Sequence, residues 1–467
     1  METANHGLRP ELRLTDLVLM QILLVVNFNF SGLAAKSGSA HAVLWLLAIA
    51  LFYLPLARVV MTLSRWMPAE GGVYQWVKEG ISPFAGYMAG WSFTIYIVIF
   101  WASVGSMLAN SFAYAGGAHW AWMADSKPFT VALGTLTCLL AFYVNVRGLH
   151  VGKWFSGFGA MTLVVTFLMV LFLLVEAWFT RRASVIGAFS FAWPGFSVQS
   201  LNGCTKMALV ALSGFEVSAI SSEECWNAGR DVSRSIFIAT PMIALMYILG
   251  TGGFLAYIPA SKVDIAAPVA QLTQVAFGAT GLGHVLTVIG VGIGIVALLA
   301  IFIIYVGMVS RLPMVAGWDG LLPSWWSSLH PRYRTPWKAV GAVTGSLFAL
   351  GLLSTWGAGN QEAVQVCLAA GFGIYCIMYL LLFSVILFGF RHSEHRPGIA
   401  IRLGALAASV VTLAAFFFEL VPIGEVANPT IFAVKVVIII CAANALGAFL
   451  YWRGTRNLAS VAATAGV

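Results

Sequence analysis

The chain has 467 residues, 60% hydrophobic and only 9% charged, with a mean hydropathy of +0.91. A soluble domain carries about a quarter charged residues, so this composition excludes an ordinary soluble enzyme or binding module and points to a chain solvated by lipid. The net charge of +8 would suggest nucleic acid in a soluble protein. Here basic membrane-facing loops explain it better, and no nucleic-acid partner is expected.

Met1 to Thr15 is polar and runs into an apolar segment too long for a signal peptide, so no cleaved leader is expected. Apolar runs of about 20 residues, enough to cross a roughly 30 Å hydrocarbon layer, then recur along the chain. They predict twelve spans, at roughly 16–38, 41–65, 84–113, 128–145, 152–177, 203–225, 234–258, 284–315, 338–356, 362–390, 399–421 and 429–452. Short amphipathic stretches at Gly72–Gly80 and Pro268–Gly278 read as interfacial helices. With the N-terminus placed in the cytoplasm, 18 Lys and Arg fall on the cytoplasmic side and 7 on the other, together the 25 of the chain. That bias predicts both termini inside a cytoplasmic (plasma) membrane. A miscounted span would scramble it.

The first span carries Asn27-Phe28-Asn29-Phe30-Ser31-Gly32-Leu33-Ala34-Ala35-Lys36 at bilayer depth. A mere anchor would not bury two Asn, a Ser-Gly pair and a Lys, because each polar group there needs a partner and non-helical backbone survives only against protein or a water-filled cavity. The device recurs at Ala211-Leu212-Ser213-Gly214-Phe215-Glu216, in the leading span of the second half. Ser and Gly also serve simple close packing of membrane helices. The repetition and the polar company argue instead for two helix breaks, at Ser31-Gly32 and Ser213-Gly214. A broken helix exposes amides at one half-helix N-terminus and carbonyls at the other half's C-terminus, which together can hold a zwitterion.

Glu216 lies deepest among the acidic residues of the sixth span. It is a candidate proton site or a structural partner for freed backbone. Glu223 and Glu224 lie nearer the cytoplasmic end, where an interfacial ion cluster accounts for Glu224. Lys36 could meet a substrate carboxylate, and snorkelling to the surface is the alternative reading. The six cysteines show no CxxC spacing and the eight histidines no HExxH pair, so no metal site, disulfide framework or cofactor is indicated.

Several local patterns resemble the amino acid–polyamine–organocation (APC) superfamily of permeases. Pro68-Ala69-Glu70-Gly71-Gly72-Val73-Tyr74, with Gly86 and Gly90-Trp91, is similar to its second-to-third-span signature, and Asn145-Val146-Arg147-Gly148 to its fourth-to-fifth-span turn. Ser213-Gly214-Phe215-Glu216, then Glu223-Glu224, Asn227, Arg230-Asp231 and Arg234, is similar to the sixth-span motif and its loop. Ser310-Arg311, Asp319-Gly320-Leu321-Leu322-Pro323 and Thr335-Pro336 are similar to the eighth-span exit. Four such patterns in the right order are specific for the family and not for a substrate.

The resemblance implies an all-α membrane protein of twelve transmembrane helices in a single domain. It would be a 5+5 inverted repeat (about 16–177 and 203–390) with discontinuous first and sixth helices, plus two C-terminal helices (about 399–452). It implies alternating access of small amines or amino acids. By position, Ser31, Gly32 and Leu33 would offer amides to the substrate carboxylate. Carbonyls around Phe28 and from Ala211 to Ser213 would take the amino group, with Gly214 and Phe215 completing the site.

The chain departs from the family pattern in several places. Phe30 stands where the first glycine of the break usually sits, and Val210 where many members carry an aromatic gate. Thr62 replaces a second-span glutamate, and Ala228 and Ser233 replace two loop prolines. Ala160-Met161-Thr162-Leu163 lacks the lysine of members similar to proton-coupled ones, leaving Thr162 as a coupling or structural candidate. Val288 to Val309 holds no Ser or Thr, which disfavours a sodium site built from hydroxyl ligands. The expected activity is transport, not catalysis: a permease for amino acids lacking a side-chain charge, with protons as a candidate coupling ion. The rivals are a polyamine or organic-cation transporter with Glu216 facing the ligand, and a membrane-embedded enzyme or sensor. The latter would need a converging catalytic set or a soluble output domain, and the sequence shows neither.

Overall fold

A computed structural model of the protein describes residues 11–180, 187, 189–195, 198–220, 222–264, 267–278, 280–354, 360–389, 396–422 and 428–465. Among the described residues the chain is helical, with no sheet and one isolated bridge, Leu12 to Cys225. Eleven helices among these residues are long and apolar enough to cross a membrane. The expected ninth span coincides with a shorter apolar helix, Trp337–Leu353; the residues expected to extend it past 354 lie outside those described.

In chain order, α1 (Leu14–Val25) and α2 (Phe28–Ala35) share the first span. Next come α3 (Gly38–Trp66), the short α4 (Val73–Gly80), α5 (Pro83–Gly116), α6 (Lys127–Arg147) and α7 (Leu149–Phe179). The sixth span comprises α8 (Val198–Lys206), a wider π turn at Met207–Ala211 and α9 (Phe215–Ile220). It is followed by α10 (Ala228–Tyr257), the short α11 (Pro268–Phe277), α12 (Gly281–Val309) and α13 (Arg311–Trp318). The chain closes with α14 (Trp337–Ser354), α15 (Asn360–Phe388), α16 (Ile399–Phe418) and α17 (Pro429–Ala465).

Helix is what this composition dictates, because in hydrocarbon every backbone N–H and C=O must be paired within the segment. Burial then sorts the helices. The most apolar stretch is 89% buried in Ser200–Ile220 and 83% in Pro83–Gly116, against 22% in Ile399–Phe418 and in Pro429–Leu458. The interrupted sixth span therefore lies at the centre, and the last two spans lie at the periphery. Outward side chains such as Phe179, Leu282 and Ile399 are more than three-quarters exposed. In water each would forfeit about 1.5–3 kcal/mol of burial, so this belt needs lipid. The two short amphipathic stretches are the helices α4 and α11.

Both described termini reach the same end of the bundle. The amides of Glu11 and Leu12 donate to the Glu224 carbonyl at 2.8 and 3.0 Å. Near the other terminus, Gly454 lies so close to Leu321 that a Cβ would stand 2.3 Å from its carbonyl oxygen. The opposite end carries α11 and the exposed Lys36, beyond the end of α2.

Candidate functional site

The first interruption falls at Val26-Asn27. Val26 and Asn27 are extended, ending α1, and Asn27 caps α2 by accepting the Asn29 amide on its side chain at 3.0 Å. Asn favours such a cap because its short side chain replaces a backbone acceptor. Two tyrosines satisfy the backbone freed here. The Tyr247 hydroxyl donates to the Val25 carbonyl at 2.6 Å and accepts from the Asn27 amide at 3.1 Å, while Tyr305 donates to the Leu24 carbonyl at 3.0 Å.

This corrects the expected position of the break. Ser31, Gly32 and Leu33 are helical, inside α2, so their amides are not those of an open first turn. Gly32 serves close packing: a Cβ there would lie 2.3 Å from Pro268 Cβ. The Ser31 hydroxyl, buried with no hydrogen-bond partner, lies against Gly250 of α10.

The second interruption lies where the sequence placed it. Leu212, Ser213 and Gly214 are non-helical between the π turn and α9, and Gly214 adopts φ +121°, a region that favours glycine. A Cβ on Gly214 would stand 3.2 Å from the Tyr305 hydroxyl and 3.3 Å from the Leu24 carbonyl oxygen. The two breaks therefore abut, with Tyr305 between them. Ala211 and Ser213 are buried beside the second break, and Phe215 stacks on Tyr53 with ring centroids 4.8 Å apart.

Glu216 is fully buried. One carboxylate oxygen accepts from Tyr375 and, at 3.0 Å, from Tyr379; the other has no partner. Nearby, the Gln21 amide of α1 donates to the Ser218 hydroxyl of α9 at 2.6 Å, joining the two interrupted spans. The Thr162 hydroxyl is turned back onto the Gly159 carbonyl at 2.8 Å. Among the described residues no group of three His, Cys, Asp or Glu could hold a metal ion.

Three hollows adjoin the breaks. Asn27 and Asn29 border a cavity of about 80 Å³ that reaches Lys206 and Glu419, and a second of about 50 Å³ lined by Phe28 and Thr166. The first shares Phe30, Leu33, Lys206 and Val421 with a vestibule of about 620 Å³, which also touches Lys36 and Ala211. Phe28, Leu33 and Ala211 thus line hollows, whereas Ser31, Gly32, Thr162, Ser213, Gly214, Phe215 and Glu216 line none of the three.

The end bearing the termini is sealed. Arg311 holds Glu224 at 2.5 Å, approaches Glu70 at 3.4 Å and donates to the Gly307 carbonyl at 2.6 Å, all buried. Lys78 and Tyr74 both hold Asp319, at 2.8 and 2.6 Å. The family-like Glu70-Gly71 stretch joins the seal through the Gly71 amide, which donates to the Ile220 carbonyl at 2.8 Å. Cys225 sits in this cluster, where burial first, then the Glu70, Glu224 and Asp231 charges, push its thiol pKa up. Glu224 is thus an ion-cluster residue, as expected; the Glu223 side chain lies outside the described residues.

Sequence reasoning missed Tyr247 and Tyr305, which nothing local marks, and Tyr375 with Tyr379, whose i, i+4 spacing on one helix was the available signal. It also passed over Lys206, although a lysine inside a span is a functional flag by itself.

The Amino acid permease family profile matches residues 14–443. An uncharacterised transporter of Legionella pneumophila is 25% identical over 349 residues, covering 74% of this chain and 73% of its own length. The low-affinity putrescine importer PlaP of Escherichia coli is 26% identical over 403 residues, covering 82% of each chain. The branched-chain amino acid permease BcaP of Bacillus subtilis is 23% identical over 373 residues, covering 74% and 77%. The chain belongs to the amino acid permease family of the APC superfamily, and is a multi-span transporter of small molecules, not an enzyme.

Proposed function

We propose that this member of the amino acid permease family moves neutral amino acids across the cytoplasmic membrane by alternating access, with both termini inside. The observation that carries this reading is the abutment of the two breaks, Gly214 against the Leu24 carbonyl, next to a cavity that begins at Asn27 and Asn29. Half-helix ends placed so offer amides and carbonyls to a zwitterion without ionised side chains. The substrate would lie along Phe28, Leu33 and Ala211 to Phe215, with the first turn of α2 in the role first given to Ser31, Gly32 and Leu33. Its carboxylate would displace the Asn27 side chain, which holds the Asn29 amide in this structure.

The same reading takes the chain as one domain of twelve spans, counting Trp337–Leu353 as the ninth. Spans one to five and six to ten form inverted repeats over about 16–177 and 203–390, and α16 and α17 are additions. The sealed end is then cytoplasmic and the vestibule faces outward. Turnover requires release of the Arg311 cluster as one bundle rocks against the other. Glu216 already serves two tyrosines, which supports a structural role and weighs against a polyamine ligand drawn to it.

The test is a thermal-shift screen of the purified protein against amino acids and polyamines, since a ligand of the folded state raises its melting temperature. Uptake of a neutral amino acid, undiminished by excess putrescine, is the expected companion result. Stabilisation by putrescine alone would overturn the amino acid reading.

A further inference from the structure

Two charges in the path outward from the breaks play no part in that transport cycle. Lys206, on the last turn of α8, is 5% exposed, and Glu419, at the end of α16, is 2% exposed. Burying an ion is expensive unless it is paired and hydrogen-bonded. Yet Lys206 Nζ makes one long hydrogen bond, to the Val421 carbonyl at 3.4 Å, and Glu419 Oε1 has no partner. The two do not meet: among the described residues no ion pair of 4.0 Å or less joins them, although each lies within the other's field. Both line the cavity that starts at Asn27 and Asn29, and Lys206 also lines the vestibule.

An unmet cation and an unmet anion facing one cavity call for a ligand carrying both signs a few ångströms apart. We propose that Lys206 and Glu419 form a subsite between vestibule and breaks that takes a zwitterionic amino acid, its carboxylate on Lys206 and its ammonium on Glu419. This rests on the amino acid reading and deepens it, because the subsite filters by charge. A diamine finds one carboxylate for two ammonium groups and a lysine opposing the second. A zwitterion leaves no charge unpaired. Of the remaining walls, Asn27, Asn29 and Gln365 are polar but uncharged, and most of the others, including Phe30, Leu33 and Phe372, are apolar, so they accept an uncharged side chain. Glu419 also gives the peripheral α16 a part in recognition.

The test is titration calorimetry of the purified full-length protein with L-alanine, L-leucine and L-phenylalanine, each alongside its carboxamide, which keeps the ammonium and lacks the carboxylate. In K206M the zwitterion that binds the wild type should weaken at least tenfold, while its carboxamide, already weak, should change less than twofold. E419Q should weaken both, since both carry the ammonium. The swap K206E/E419K should recover part of the zwitterion affinity, because the ligand can bind end for end. Unchanged zwitterion affinity in either single variant overturns the proposal, as does equal loss of zwitterion and carboxamide in K206M. If one single variant does not fold, the zwitterion affinity of the other decides alone. A wild type that binds no amino acid sinks the amino acid reading itself, a result distinct from wild-type binding that the variants retain.

Discussion

Replacing Gly214 with alanine is the sharpest test of where the substrate sits. The backbone at this position has φ +121°, and holding a non-glycine residue in such a region costs about 1–3 kcal/mol. The new Cβ would stand 3.2 Å from the Tyr305 hydroxyl, 3.3 Å from the Leu24 oxygen and 3.4 Å from a Val25 methyl, so the first break would have to give by a few tenths of an ångström. If the strain is relieved by relaxing the break, the penalty falls on binding. At about 1.4 kcal/mol per factor of ten, affinity should drop roughly 5- to 140-fold. The measurement is calorimetric affinity for the best ligand from the screen, alongside the melting temperature without ligand. Gly32→Ala is the control, since its Cβ would press on Pro268 at 2.3 Å. That overpacking costs about 1–3 kcal/mol and should lower the melting temperature with affinity kept within about twofold. Equal affinity in wild type and Gly214→Ala would refute the placement of the site at the abutting breaks.

Other outcomes follow from the same geometry. Glu216→Gln keeps an acceptor for Tyr375 and Tyr379, so uptake should survive with its pH profile unaltered; a flattened profile would make Glu216 the proton carrier. Arg311→Gln leaves Glu224 and Glu70 facing each other without their shared cation, a change of about 3–5 kcal/mol for a broken buried pair. It should favour the state open at the end with the termini, read as faster proteolysis or labelling there. In the wild type, burial and adjacent carboxylates hold the Cys225 thiol protonated at neutral pH. Its alkylation, followed by peptide mass spectrometry, should be slow at rest and speed up during turnover. A rate indifferent to substrate would argue against opening at this end.

The sequence alone determined that the chain is a multi-span helical membrane protein, where eleven of its twelve expected spans run, and that two leading spans are interrupted. These follow from composition and from polar groups that hydrocarbon cannot tolerate unpaired, both local properties. The second break was legible at Gly214 because positive φ selects glycine at a single residue. The first was misread. Asn27, the actual cap, and Gly32, the apparent breaker, sit five residues apart, and local rules rank Gly higher. Gly32 is glycine because Pro268 lies over it, a contact between residues distant in the chain. Only the tertiary structure could decide that, and for the same reason only it showed Tyr247 and Tyr305 completing the break, or Lys206 facing the same cavity as Glu419. Pairings across the bundle are set by which helix faces meet, and no periodicity within one segment records its neighbour.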